Sequence, residues 1–281
     1  MIRFSIIIPH RGEDSLLERA IASVPVRDDI QLLVEEDSDG RGAGYARNRA
    51  LGKASGEWLL FLDSDDFFSP DVLSLMDSHA NDSTDVVYFS VHSVMSADGM
   101  PSHRVDNKLE FFEKYADNPG QLEYFCRYRY PEPWGKMVRR ALVESENIRF
   151  DETLCANDYT FSVQLGLKAR TVRFDPSPLC IITEREGSVS SSYFDSRRKL
   201  EDRLGVYWKV QQLFDAAHVR EYPFYGLWTM CRKEGGKSME TARSFCRSNG
   251  ITPLKLRWGY LKRVIVKRCR KCLYFCTVCP M

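Results

Sequence analysis

Four short apolar runs, each closed by a polar cluster or a turn, dominate the first ninety-five residues: FSIIIP at 4–9, IQLLV at 30–34, EWLLFL at 57–62 and DVVYFSV at 85–91. The first has no polar face, as expected of a strand covered on both sides. Amphipathic stretches separate the runs. Residues 14–24 place Leu16, Leu17, Ala20, Ile21 and Val24 on one helical face, with Asp14 or Ser15 available as N-cap. Residues 43–53 read as a second helix, and Pro70-Asp71 opens a third where proline is tolerated. Strand, helix, strand, helix predicts right-handed crossovers and an α/β fold on a mainly parallel, doubly wound sheet. Ligands of such sheets bind beyond the carboxyl ends of the strands. PHRG, EEDSDG and DSDD stand at those ends after strands one, two and three, so the crevice is predicted there.

Beyond residue 95 the pattern loosens. Helices are expected over 119–128 and 158–168, a strand entering a helix at KMVRRALV, a strand at LCIITERE, and long helices over roughly 195–247.

Charge is unevenly spread. The chain carries a formal +1, yet residues 251–281 hold eight Lys/Arg and no Asp/Glu, which leaves −7 on the rest. Net positive charge confined to one tail beside an acidic globule argues against nucleic acid as partner. MIRFSIIIP is too short an apolar run for a secretion signal, and no stretch has the length of a membrane span. Nine cysteines in a leaderless chain read as reduced thiols, which predicts a cytoplasmic protein.

FLDSDD at 61–66 delivers Asp63, Asp65 and Asp66 from an apolar strand into the predicted crevice. Crowded carboxylates repel, and a hard divalent cation such as Mg²⁺ or Mn²⁺ takes oxygen ligands of this kind with phosphate and water completing its shell. In an extended stretch Asp63 and Asp65 share a face. The alternative is a solvated loop with Asp66 capping the next helix; the position at a strand end favours the cation.

These stretches, followed by GYARNRAL, WGKMVRRALV, NDYTFSVQLGLKA and EREGSVSSSY, resemble in order the family 2 glycosyltransferases, bacterial enzymes of the GT-A fold, across residues 1–193. The resemblance implies a Rossmann-like GT-A domain with a nucleotide-sugar-binding half (1–100) and an acceptor-side half (101–193). A helical extension (194–250) and a basic amphipathic tail (251–281) would follow. It also implies an inverting transfer from a nucleotide-diphosphate donor, a UDP-sugar foremost, to a saccharide hydroxyl in cell-surface polysaccharide assembly. By the same resemblance Pro9, His10, Arg11, Glu35 and Glu36 hold the nucleotide base, with two glutamates where the family has aspartates. Arg47, next to Asn48, helps to place the donor, although a plain surface residue of the helix is the other reading. Asp63 lies near the ribose and Asp65 on the metal, and Arg185, in a loop at 184–192, reaches the diphosphate unless that segment is an ordinary turn.

An inverting transfer needs a carboxylate to take the acceptor's proton. The resemblance places it at Asp158 in Asn157-Asp158, where the family has two acids; an N-cap role for the helix at 158–168 is the alternative. Loss of the neighbouring charge should ease ionisation of Asp158. Trp134 matches the family's acceptor-side tryptophan, and a core position is equally open.

Cys269, Cys272, Cys276 and Cys279 do not suit one zinc ion, because on a helix they span about 15 Å. Steps of three, four and three instead continue the apolar face of Trp258, Leu261 and Ile265. With the lysines and arginines around it, this stripe suits an anionic membrane surface, on the inner face of the plasma membrane, or a helix packed on the globule. The former would fit a polyprenyl-diphosphate-linked acceptor. Two rival functions remain: a sugar-1-phosphate nucleotidyltransferase, disfavoured because PHRGEDS has a single glycine, and a binding protein that keeps the fold without turnover.

Overall fold

The alternation produces a seven-stranded sheet in the order β2-β1-β3-β6-β5-β7-β4. The computed structural model describes residues 1–281 except 13, 82, 186–193, 195 and 277–281, and no side chain from 270 onward. Its strands are β1 (Phe4–His10), β2 (Ile30–Glu36), β3 (Trp58–Phe61), β4 (Phe67–Phe68), β5 (Val86–Met95), β6 (Lys136–Arg139) and β7 (Val172–Glu184). All seven residues of β1 are buried, as a run without a polar face requires. β1 lies between β2 and β3, parallel to both. β6 then runs antiparallel to β3 and to β5, and β5 returns parallel to β7. The mainly parallel, doubly wound α/β expectation therefore holds: β2, β1, β3, β5 and β7 point the same way, and only β6 and β4 run against them.

Helices α1 (Asp14–Ala22), α2 (Ala43–Leu51) and α3 (Val72–His79) follow the first strands. α4 (Asp106–Lys114), α5 (Pro119–Arg129), α6 (Arg140–Ser145) and α7 (Tyr159–Lys168) belong to the later half. One contiguous apolar cluster joins β1, β3, β5 and β6 to these helices. Phe61 at the end of β3 meets Phe150 and Phe161 edge-on at 5.2 and 5.3 Å, and those two rings stack at 3.9 Å. This aromatic contact ties the strand that delivers the acidic residues to α7, which follows Asp158.

The chain divides into two compact units, Met1–Ser191 and Ser192–Met281. The second is helical: α8 (Arg197–Ala216), α9 (Pro223–Glu234), α10 (Gly236–Ser248) and α11 (Pro253–Cys276). Leu200, Leu204, Trp208, Phe224, Leu227 and Cys246 form its own core. No helix among the described residues is long and apolar enough to cross a membrane.

α5 and α7 cross at Gly166, where a Cβ would lie 2.0 Å from the Arg127 carbonyl oxygen. Arg127 Nη1 also donates to the carbonyls of Gly166 and Ala169 at 2.8 and 2.7 Å. Gly166→Ala must force these backbones apart, and urea denaturation should show a loss of about 1–3 kcal/mol.

Candidate functional site

Register brings the polar strand ends together. Pro9 and His10 of β1 stand beside Glu35 and Glu36 of β2, and the Leu62 amide donates to Ile7 at 3.1 Å before the chain turns. The Asp66 amide donates back to the Asp63 carbonyl at 3.0 Å, closing a four-residue turn. β4 then pairs with β7, so the turn is pinned from the other side. Asp66 Oδ1 accepts from the Thr183 amide at 2.7 Å, and the Thr183 hydroxyl donates to the Asp65 carbonyl.

The result is one carboxylate cluster. Oxygens of Asp63, Asp65 and Asp66 all lie within 4.8 Å of one another. Burial, with Asp63 next to it, pushes the Asp65 carboxyl above its usual range. Burial and the other two aspartates push Asp66 well above it. An all-oxygen donor set whose charges crowd each other fits a hard divalent cation.

Arginines surround the cluster. Arg185 Nε lies 3.7 Å from Asp65 Oδ2, and Arg19 Nη2 donates to the Asp65 carbonyl at 2.5 Å. Arg104 donates to the Thr183 carbonyl at 2.5 Å, and its charge is felt at both Asp65 and Asp66. Arg104 and Thr183 have no sequence signal, since β7 and the bridge Val94–Pro101 bring them to this rim, and Arg19 reaches it from α1. The expected loop at 184–192 falls largely on 186–193, outside the described residues.

Arg47, on α2, is 3% exposed and joins two parts of the site. Its Nη2 pairs with Asp63 Oδ1 at 2.5 Å, its Nη1 donates to Asn157 Oδ1 at 2.9 Å, and its guanidinium lies over Phe150. The surface reading of Arg47 is thereby excluded. Asn48 next to it exchanges two hydrogen bonds with the Phe150 backbone, both 3.0 Å. Gly44 lets α2 approach this closely, because a Cβ there would stand 2.0 Å from the Asp151 carbonyl oxygen.

Asp158 immediately precedes α7 but makes no capping bond with its side chain. Ala156, two residues earlier, takes a left-handed φ of 56°, a strained choice for a residue with a Cβ. Burial pushes the Asp158 carboxyl up to about 6; Arg47 opposes this, and Glu132 and Asp63 add to it. The missing acid at Asn157 was expected to ease ionisation, and desolvation outweighs that. Glu132 carries no motif. Its Oε1 pairs with Lys108 at 2.8 Å, while its Oε2 is buried with no hydrogen-bond partner among the described residues.

Three expected positions need correction or division. Glu35 is buried and its two oxygens are taken, Oε1 by Lys53 and Oε2 by Arg49 at 3.2 Å, so it presents no free carboxylate to a base. Glu36, next along the strand, is exposed at the strand end beside His10. Trp134 is 5% exposed and packs edge-on against Tyr130 in the core, so it offers no open face to a sugar. The first loop stays in place: Arg11 lies 3.9 Å from buried Asp37 and against Gly40. Asp37 was overlooked; its carboxylate accepts the amides of Arg41 and Gly42 at 2.7 and 2.8 Å, a turn that the Asp-rich loop could have suggested. His10 is buried, with Nε2 3.3 Å from Asp14 and Nδ1 unpartnered among the described residues.

Residues 26–145 match the family model "Glycosyl transferase family 2". The succinoglycan biosynthesis protein ExoO of Rhizobium meliloti is 29% identical over 73% of this chain and 57% of its own. EpsH of Bacillus subtilis is 26% identical over 60% and 49%. The chain thus spans about half the length of the curated relatives it matches. Residues 1–349 of Staphylococcus aureus TarS, solved with UDP-GlcNAc, superpose with a TM-score of 0.64 at 20% identity, covering 94% of this chain and 88% of that one. That likeness shows the GT-A fold.

Glu35→Ala should lower stability by about 1.5–3 kcal/mol, as loss of a charged hydrogen-bond partner does, without altering donor affinity. Glu36→Ala should do the reverse. Denaturation midpoints and nucleotide-sugar titrations read the two effects separately.

Proposed function

We propose that this chain, which belongs to glycosyl transferase family 2, moves a sugar from a UDP-sugar to a saccharide hydroxyl with inversion at the anomeric carbon. The observation that carries this reading is one buried arginine, Arg47, that pairs with Asp63 of the carboxylate cluster and bonds Asn157, next to Asp158, whose carboxyl feels its charge. TarS, of the same fold, is a poly(ribitol-phosphate) β-N-acetylglucosaminyltransferase solved with UDP-GlcNAc, which supports a UDP-linked donor here. ExoO supports a polysaccharide acceptor, and one carried on a polyprenyl diphosphate fits the chain's basic tail.

Asp65, with Asp66 as an accessory beside it, would hold Mn²⁺ or Mg²⁺, which as a Lewis acid would neutralise charge on the departing diphosphate. Arg185 and Arg104, beside that cluster, place further positive charge where diphosphate oxygens gather. Arg47 fixes the Asp63 carboxylate, leaving its second oxygen for a ribose hydroxyl. Arg11 and Glu36, at the ends of β1 and β2, bracket the position of the base. Asp158 takes the proton from the acceptor hydroxyl as that oxygen attacks, and its raised pKa matches a base that works near neutrality.

A carboxylate base must be ionised to act. With a pKa of about 6, kcat/KM should climb about tenfold per pH unit below that value and level off above it. Asp158→Asn should lower kcat by about 10²–10⁴-fold and remove this limb. Nucleoside diphosphate release from a panel of nucleotide sugars with Mn²⁺ tests the whole reading. Asp65→Ala should reduce release by about 10²-fold or more. Donor binding with no release across donors and acceptors would instead favour a non-catalytic protein.

A further inference from the structure

The second unit ends in a helix with two unlike faces. On one, Gly259 of α11 sits so close to the Tyr225 ring of α9 that a Cβ would approach to 2.0 Å, and Leu256 packs on the unit's core. On the other, Leu254, Trp258, Leu261 and Ile265 are 63, 57, 41 and 58% exposed. Their steps of four, three and four put them in one stripe. A contiguous apolar stripe of this kind, uncovered among the described residues, marks a contact surface.

The residues flanking the stripe identify that partner. At about 100° per residue, Lys255 and Lys262 fall along one side and Arg257 and Arg268 along the other. All four are exposed and residues 251–281 contain no acid; Asp215 of α8 is the one acid in the cavity that Lys255 and Lys262 line, and the Lys255 ammonium lies over the Trp208 ring at 4.6 Å. Beside the lysine flank, Trp258, Tyr222, Tyr225 and Asp215 border a cavity of about 110 Å³. Aromatic rings with one polar edge favour the headgroup layer of a bilayer, and lysines reach past an apolar face to lipid phosphates.

We propose that α11 is an interfacial helix that docks this chain on an anionic lipid bilayer, with the Leu254–Ile265 stripe among the acyl chains and the flanking Lys/Arg on the phosphates. The exposed stripe and the basic flanks are independent features of the same helix, and together they specify this surface. The proposal stands whether or not the first unit is a transferase.

Co-sedimentation of the full chain with phosphatidylcholine vesicles, with and without phosphatidylglycerol, tests it. Binding is expected to the anionic vesicles, weakening steeply with salt. Lys255→Gln with Lys262→Gln should lower the partition coefficient about 25-fold, at about fivefold per charge. Trp258→Ser with Ile265→Ser should lower it about tenfold or more. Arg170→Gln, in the first unit, should leave it unchanged. Equal binding to neutral and anionic vesicles, no binding, or wild-type binding by the lysine pair would overturn the proposal. So would a dimer in sedimentation velocity that Trp258→Ser with Ile265→Ser converts to monomer, since a second copy would then cover the stripe.

Discussion

A guanidinium buried to 3% exposure needs an anion, and Arg47 finds one in Asp63 at the end of β3 while Asn157 takes its second edge. Desolvating such a group without partners would cost several kcal/mol, so the contact fixes both neighbours. Asp63 belongs to the strand that delivers the acidic cluster, and Asn157 precedes the residue that leads into α7. One side chain thus holds the acidic rim and the loop before α7 at a set separation. Phe61, Phe150 and Phe161 reinforce this from below, so apolar and ionic contacts act on the same two elements.

Around that link the site alternates charge. Three carboxylates converge within 4.8 Å, and Arg19, Arg104 and Arg185 stand behind or beside them. Two of the carboxyls are raised by burial and mutual repulsion, against the pull of the nearby arginines. Preorganised charges of this kind act strongly because water is partly excluded and the groups need not move to respond. Asp158, just before α7, is raised by the same leading cause, desolvation, with Asp63 adding to it as it does at Asp65 and Asp66.

The departures from the family's motifs have physical readings. In the second strand the two glutamates alternate across the pleat: Glu35 turns inward to Lys53 and Arg49, and Glu36 turns out. A pair that looks equivalent in sequence is divided by the geometry of a strand. At residue 157 an amide replaces an acid, and its oxygen still accepts from Arg47. That substitution keeps the bridge and removes one negative charge from the neighbourhood of Asp158.

Local chemistry was legible in the chain alone. Apolar runs alternating with amphipathic helices predicted β1, α1, β2, α2 and β3, and the DSDD cluster at a strand end predicted where charge would gather, because both depend on neighbours in sequence. The basic, acid-free tail was equally plain. Contacts between distant segments were not. Nothing near residue 47 announces Asn157, 110 positions away, and nothing near residue 104 announces the acidic rim. β6 entering antiparallel between β3 and β5, Trp134 in the core and Glu35 neutralised all follow from which strands become neighbours. Sequence set the elements and their polarity through local propensity and periodicity. Which charges became partners was decided only when the sheet closed, since ion pairing depends on distance in space and not along the chain.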